Sequence, residues 1–455
     1  MTARRMGCAL MVLLSCVLST GAGDPEERTS RISDEVVPQI DPDAVPQRPR
    51  PILELGNPFL GSGTLRPGFR VPGGAVWQPS FLVFGTLRTA FQAFNGGNST
   101  VGEWASRLDL FGNYQLSGTE RLLIGVRPLD EDGEFSGYRW QGGTEGGEAK
   151  FDAVVESFFF EGDFGELFPN ADRRDFKSMD WGFSVGRQPL FYQEGMLIND
   201  SIDSLGVTRN TVLPRHGSDL QITFLYGVND IHRDDNLEGS GAQMFGTFLA
   251  GDFPVSTFNA DFVYVFDTKD DTDGLYWGLS SVQRLGHAST SFRVLGSHAL
   301  GRETEAVSDG YLLFGEASWT PPWTHDLVYV NAFLGIDRFS SAARDPSVGG
   351  PLGRTGILFA AMGLGQYGAP LGNRADKSFG AAVGYQLFSH DTRRQFLFEV
   401  GGRGGSAVAS DEFALGARVQ QAYGRHFVLQ LDGFRSFLQS RDDGWGARME
   451  MRVLF

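Results

Sequence analysis

The sequence predicts an all-β chain: a single antiparallel transmembrane β-barrel of about eighteen strands, with sixteen as the alternative count. Three observations lead there. From Val76 onward, strand-length segments recur in which every second residue is apolar and the residues between are polar. Such period-two patterning gives each strand one oily and one wet face. No window approaches the ~18 to 20 continuous apolar residues of a spanning helix, although the N-terminus reads as an export leader. Finally, tight turns alternate with longer polar loops, so the two ends of the predicted sheet differ, which a soluble sandwich has no reason to arrange.

Taken in order, residues 1–22 read as a signal peptide. Arg4 and Arg5 precede the apolar stretch Ala9 to Leu18, and small residues lead to a cleavage site near Ala22. Cys16 hints at a lipobox, but Leu14 fits poorly and the apolar run continues past the cysteine. Cys8 and Cys16 are the only cysteines, so the exported chain is expected to hold no disulfide and no thiolate chemistry. Residues 23–75 form a periplasmic N-terminal extension. It is acidic at first, then rich in Gly and Pro with Leu53, Leu55, Phe59, Leu60, Leu65 and Phe69 interspersed. The second half reads as packing against the barrel mouth, as a plug threaded inside, or as a periplasmic tail with no ordered role.

The barrel itself is expected over 76–455. Strands fall near 80–94, 103–116, 121–140, 150–165, 180–192, 203–212, 219–229, 242–252, 257–267, 274–285, 289–300, 310–320, 326–338, 378–388, 394–404, 411–422, 426–437 and 444–455. Leu220, Ile222, Phe224, Tyr226 and Val228 alternate with Gln221, Thr223 and Asn229, for example. Tight connections sit at Ser117 to Glu120, Gly286 to Ala288 and Gly424-Arg425. Long polar ones run from Asp230 to Glu238, Asp267 to Asp273 and Arg302 to Asp309. Trp104, Trp140, Trp181, Trp277, Trp319, Trp323 and Trp445 suit an interfacial aromatic girdle. The connection at 339–377 departs from the rest, because it contains the apolar run Ile357 to Leu364. It reads as a loop folded into the lumen as a constriction, as a cap on the extracellular mouth, or as a further hairpin.

The last strand, WGARMEMRVLF, places Trp445, Ala447, Met449, Met451, Val453 and Phe455 on one face and Arg448, Glu450 and Arg452 on the other. It resembles the closing strand of Gram-negative outer-membrane barrels, in which a terminal Phe is part of the signal read by the insertion machinery. The stretch Trp181 to Asn210, with Val185-Gly186-Arg187-Gln188 at its centre, resembles the strand–loop–strand of alginate-export barrels and related porins. That resemblance implies eighteen strands, an outer-membrane location, and Arg187 pointing into the lumen, where a fixed guanidinium attracts anions.

The expected partners follow: the bilayer and lipopolysaccharide outside, the insertion machinery at Phe455, and a small hydrophilic or polysaccharide solute inside. With 55 acidic against 39 basic residues and a formal charge of −16, no basic stripe suggests nucleic acid. The strand phases, with the resemblance for Arg187, nominate Arg107, Asp109, Arg187, Arg293, Glu316, Glu399, Arg403, Arg418, Asp432, Arg448, Glu450 and Arg452 as pore-lining. Arg354, Phe359, Tyr367 and Arg374 are nominated on the constriction loop. Arginine slightly outnumbers acid on these faces, which leaves open an anion-attracting track or a mixed transverse field. No G-x-S-x-G elbow, Walker loop, H-E-x-x-H or Cys/His metal spacing occurs in the sequence. A channel with no enzymatic role, cofactor or metal is therefore the expectation. The competing class is a non-transport barrel, a receptor, adhesin or scaffold with a plugged lumen.

Overall fold

Alternation becomes architecture along the whole wall. The computed structural model describes residues 48–58, 66–131, 134–142, 145–151, 155–171, 179–210, 212, 214, 217–237, 241–269, 272–360, 364–390, 392–406, 411–439 and 441–455. The expected leader at 1–22 and the extension as far as residue 47 lie outside the described residues. Eighteen antiparallel strands close on themselves. They are β1 (Ser80–Asn95), β2 (Thr100–Gln115), β3 (Arg121–Val126), β4 (Val155–Asp163), β5 (Trp181–Tyr192), β6 (Ile198–Arg209), β7 (Asp219–Val228), β8 (Ala242–Asp252) and β9 (Ser256–Asp267). The second half comprises β10 (Gly274–Leu285), β11 (Ala288–Ala299), β12 (Gly310–Trp319), β13 (Leu327–Asp337), β14 (Ser378–Ser389), β15 (Arg394–Gly405), β16 (Glu412–Tyr423), β17 (Phe427–Leu438) and β18 (Gly444–Leu454). Closure comes from β18 pairing with β1, from Trp445 opposite Asn95 to Leu454 opposite Thr86. A closed ladder leaves no edge to be satisfied by water.

Phase is plainest on β18, where Trp445, Met449 and Met451 are exposed and Arg448 and Glu450 are buried inward. The outward face continues through Phe224, Phe258, Phe262, Phe292, Phe398 and Phe413, all exposed. Trp104, Trp140, Trp319 and Trp445 are exposed as well. Nothing in the described chain covers this apolar surface, as expected where lipid is the outer solvent.

Three departures from the predicted elements stand out, the first with a local cause. The stretch expected as one strand over 121–140 ends at Val126, and Pro128 follows at once, where a ladder N–H would be needed. The chain turns back, and Glu134–Gln141 pairs with the upper part of β2 instead. The strand expected to begin at 203 begins at Ile198. Rim sorting holds in part: 164–180 and 210–218 are long on the short-turn rim, and 96–99, 193–197 and 439–443 are short on the other.

Within the extension, Leu53–Leu55 pairs with Phe81–Val83 of β1, covering the edge that β18 leaves beyond Phe455. The Phe69–Arg70/Val76–Trp77 hairpin lies against the short helix Phe164–Leu167, with Gly73 and Gly74 at Leu167, Phe168 and Asn170. The contacts that these described residues make are with the rim.

The interior is where the sequence reading falls short. On β9 to β13 many inward positions toward the long-loop rim are apolar: Val263, Val265, Leu295, Leu312 and Phe333 are buried there. They pack against Leu197, Ile198 and Ile202 of the β5–β6 end and Ile357, Leu358 and Phe359 of the long connection. Both segments fold inside the cylinder, so this part of the wall faces packed protein rather than water. Polar inward positions occur at both levels, with Gln92, Glu103, Asp200 and Ser297 buried toward the long-loop rim.

Candidate functional site

Two inserted segments shape the interior, and buried polar groups fix them. The 338–377 connection leaves β13 beside the β5–β6 end, where Ala343–Arg344 pairs in parallel with Ile198–Asn199. Ala342 and Asp345 extend that ladder through N–H bonds of 2.9 Å to Leu197 and Asn199 carbonyls. Arg344 is buried and donates to the carbonyls of Gly195 (2.6 Å), Met196, Gly349 and Gly350, and to Ser341 Oγ. One planar guanidinium thereby joins both inserted pieces. Burial lowers its pKa to about 10, still leaving it charged at neutral pH.

Farther along, the wall carboxylate Glu399 accepts from the N–H groups of Ile357 (2.9 Å) and Leu358 (3.1 Å) and from Tyr329. Gly356 next to it has φ +58°, and a side chain there would run into that carboxylate. Glu103 on β2 accepts from Gln366 N (2.5 Å), and Gln92 on β1 reaches Leu364 O (2.9 Å). The connection thus spans from β5–β6 to β1–β2. Arg374 returns to pair with buried Asp234, whose carboxyl is pushed up to about 6 by burial against the pull of Arg374 and Arg344.

Beneath this span lies a basic chamber of about 230 Å³, lined by Arg88, Arg354, Arg418, Arg448, Arg452 and Gln430, with Gly353 and Ala360. Its arginines come from β1, β16, β18 and the inserted connection. Arg452, Arg88 and Arg107 sit directly opposite one another across β18, β1 and β2. Like charges so placed are unfavourable unless carboxylates offset them. Glu450 does so for Arg88 (2.7 Å), Arg452 (2.9 Å) and Arg448. Asp432 holds Arg418 at 2.5 Å and Arg448 at 3.8 Å. Asp109 holds Arg107 at 2.9 Å and Arg127 at 3.1 Å.

The nominated residues therefore divide. Arg107, Asp109, Arg418, Asp432, Arg448, Glu450 and Arg452 come together on one inner wall, and Arg354 joins them from the connection while stacking over Phe191 at 4.4 Å. Arg293 and Glu316 face inward on the β11–β12 wall. Glu399 and Arg403 also face inward, but they hold the connection, Arg403 through Leu371 O at 3.0 Å. Phe359 and Tyr367 are buried in packing, edge-on to Phe333 and Phe434 respectively, and Arg374 is an anchor.

Arg187 does not join the arginines of the basic chamber. It lies opposite exposed Phe158, in the outward phase of Val185 and Leu205, and pairs with Asp230 of the β7–β8 loop. The sequence reading missed Arg344, Asp234 and Gln193 as site residues. The one cue was an arginine following Ser340-Ser341-Ala342-Ala343, small residues that allow close backbone approach.

No family model matches the sequence, and no curated protein matches it. Among solved structures, OpdK of Pseudomonas aeruginosa aligns with a TM-score of 0.55 at 11% identity, covering 82% of this chain and 98% of that one. OpdK with vanillate gives 0.53 at 12%, with the same coverage. OpdL of the same organism gives 0.52 at 12%, again over 82% and 98%. At such identities the likeness is one of fold: this chain has the fold of an outer-membrane barrel.

Proposed function

We propose that this chain is an outer-membrane channel of the porin kind that passes small anionic solutes, narrowed by the 338–377 connection and the β5–β6 end. The carrying observation is the basic chamber. Five permanently charged guanidiniums surround space large enough for a small solute, in an interior where image forces would otherwise disfavour charge. Vanillate, named with OpdK, is a carboxylate of suitable size to serve as a probe. The leader at 1–22 and the Phe455 end would serve export and insertion, with lipid and lipopolysaccharide outside. Polymer export of the alginate type is the finer alternative within transport. Two features weigh against it: the outward phase of Arg187, and the bulk of the inserted segments.

A sealed barrel acting as a receptor, adhesin or scaffold is the second reading, favoured by the dry packing of the inserted segments against the wall. Planar-bilayer recording separates the two. A channel gives steady ohmic current, and a KCl gradient gives a reversal potential on the anion side. Arg88→Ala combined with Arg452→Ala moves that potential toward cations, and millimolar vanillate reduces the wild-type current. Silence of the folded protein would overturn the transport reading. Current without anion preference would overturn the assignment of the arginines.

A further inference from the structure

A second chamber, of about 270 Å³, lies on the β7–β11 side of the interior, beneath the β5–β6 end. Its chemistry differs from that of the basic chamber. The side chains around it include the amides of Gln193, Gln221 and Asn259, the hydroxyls of Thr223 and Ser280, and the rings of Phe191 and Tyr192. Two carboxylates, Asp261 and the more exposed Glu194, and one guanidinium, Arg293, stand among them.

The pairing within this lining is incomplete in both senses. Arg293 is 6% exposed; its Nη2 lies 3.6 Å from Glu194, but Nε and Nη1 have no hydrogen-bond acceptor among the described residues. Gln193, 7% exposed, donates through Nε2 to Asp261 at 2.7 Å, while its Oε1 has no donor. Buried polar groups left without partners are costly. Whatever fills the chamber must accept from a guanidinium and donate to an amide oxygen. A simple anion answers Arg293 but meets Asp261 and Glu194. A simple cation answers Asp261 but meets Arg293. A hydroxyl does both, since it donates and accepts.

We propose that this chamber is a binding station for a neutral, hydroxyl-rich ring, a sugar-class solute, separate from the anion track. Arg293 and Gln193 grip hydroxyls from two sides, and Phe191 and Tyr192 supply the apolar face that a ring's C–H groups need. Tyr192 is itself held rigid by stacking on Phe248, with centroids 3.5 Å apart and planes 14° from parallel.

Calorimetric titration of the detergent-purified full chain with glucose, and with gluconate as its charged counterpart, tests this. Saturable glucose binding is expected, and gluconate, which the basic chamber attracts, should not compete with it. Gln193→Leu and Arg293→Met should each weaken glucose roughly tenfold or more, and Arg88→Met in the other chamber should leave it unchanged. Asn259→Leu, placed on regular β9, carries the same expectation and decides the matter if Arg293→Met fails to fold. Absence of saturable glucose binding would overturn the proposal, as would gluconate binding alone or equal weakening by Arg88→Met. The measurement needs no ion flow, so a barrel silent in bilayers answers it as well as a conducting one.

Discussion

Glu450 is fully buried, and three guanidiniums converge on it, from Arg88, Arg448 and Arg452. Removing its charge leaves three like charges on neighbouring strands with their common partner gone. Breaking a buried ion pair from one side costs about 3–5 kcal/mol, so Glu450→Gln should lower the urea midpoint of the lipid-embedded barrel and, by unmasking cations, deepen anion preference. An unchanged midpoint would show that water already screens this cluster. The phase of Arg448, Glu450 and Arg452 was legible, because Trp445, Met449 and Met451 alternate with them without interruption. So was that of Arg187: alternation alone puts it with Val185. The resemblance implied a place inside; the register sets it opposite Phe158, and its guanidinium pairs with Asp230. Residue phase can be read wherever the flanking apolar positions are large; a borrowed motif does not override it.

Arg344 belongs to the scale of elements, since its hydrogen bonds tie the β5–β6 end to the 338–377 connection. Neither piece has a reason to stay inside alone. The connection brings Ile357, Leu358 and Phe359, the hairpin end brings Leu197 and Ile198, and backbone bonds from Ala342 and Asp345 stitch them together. Gly335 on β13 lets the returning chain approach, for a side chain there would collide with the Ala375 carbonyl. Arg344→Ala would orphan several buried carbonyls at about 1–3 kcal/mol each, enough to shift an inserted/released equilibrium tenfold or more. The expected readout is higher single-channel conductance with more frequent large openings. Arg344→Lys should not restore the wild type, because an ammonium cannot reach acceptors set around a planar fork. Conductance identical to wild type in Arg344→Ala would show that apolar packing alone seats the connection. The apolar run from Ile357 announced that this connection would leave water. Its partner went unannounced, because residues 193–202 carry no pattern distinguishing a hairpin bent inward from a loop.

At the scale of the molecule, strand number and closure were legible because lipid imposes one rule on every outward position. The inward face obeys no such rule. Where protein fills the cylinder, inward residues are Val263, Val265 and Leu295; where space remains, they are Arg88, Arg418 and Arg452. Net charge misleads for the same reason: the chain is formally −16, yet the chamber proposed to meet a solute is lined by arginine. If that chamber sets selectivity, it should behave as charge in contact with electrolyte. The Debye length falls from about 10 Å at 0.1 M salt to about 3 Å at 1 M, a change from spanning such a chamber to covering only part of it. Anion preference, read as reversal potential at a fixed concentration ratio, should therefore shrink as mean KCl rises from about 0.1 M to about 1 M, which shortens the Debye length about threefold. It should shrink less in Glu450→Gln, whose added unpaired charge survives more screening. A preference independent of salt would place the filter in direct, desolvated contact between anion and guanidinium, within the inserted span rather than in the chamber below it.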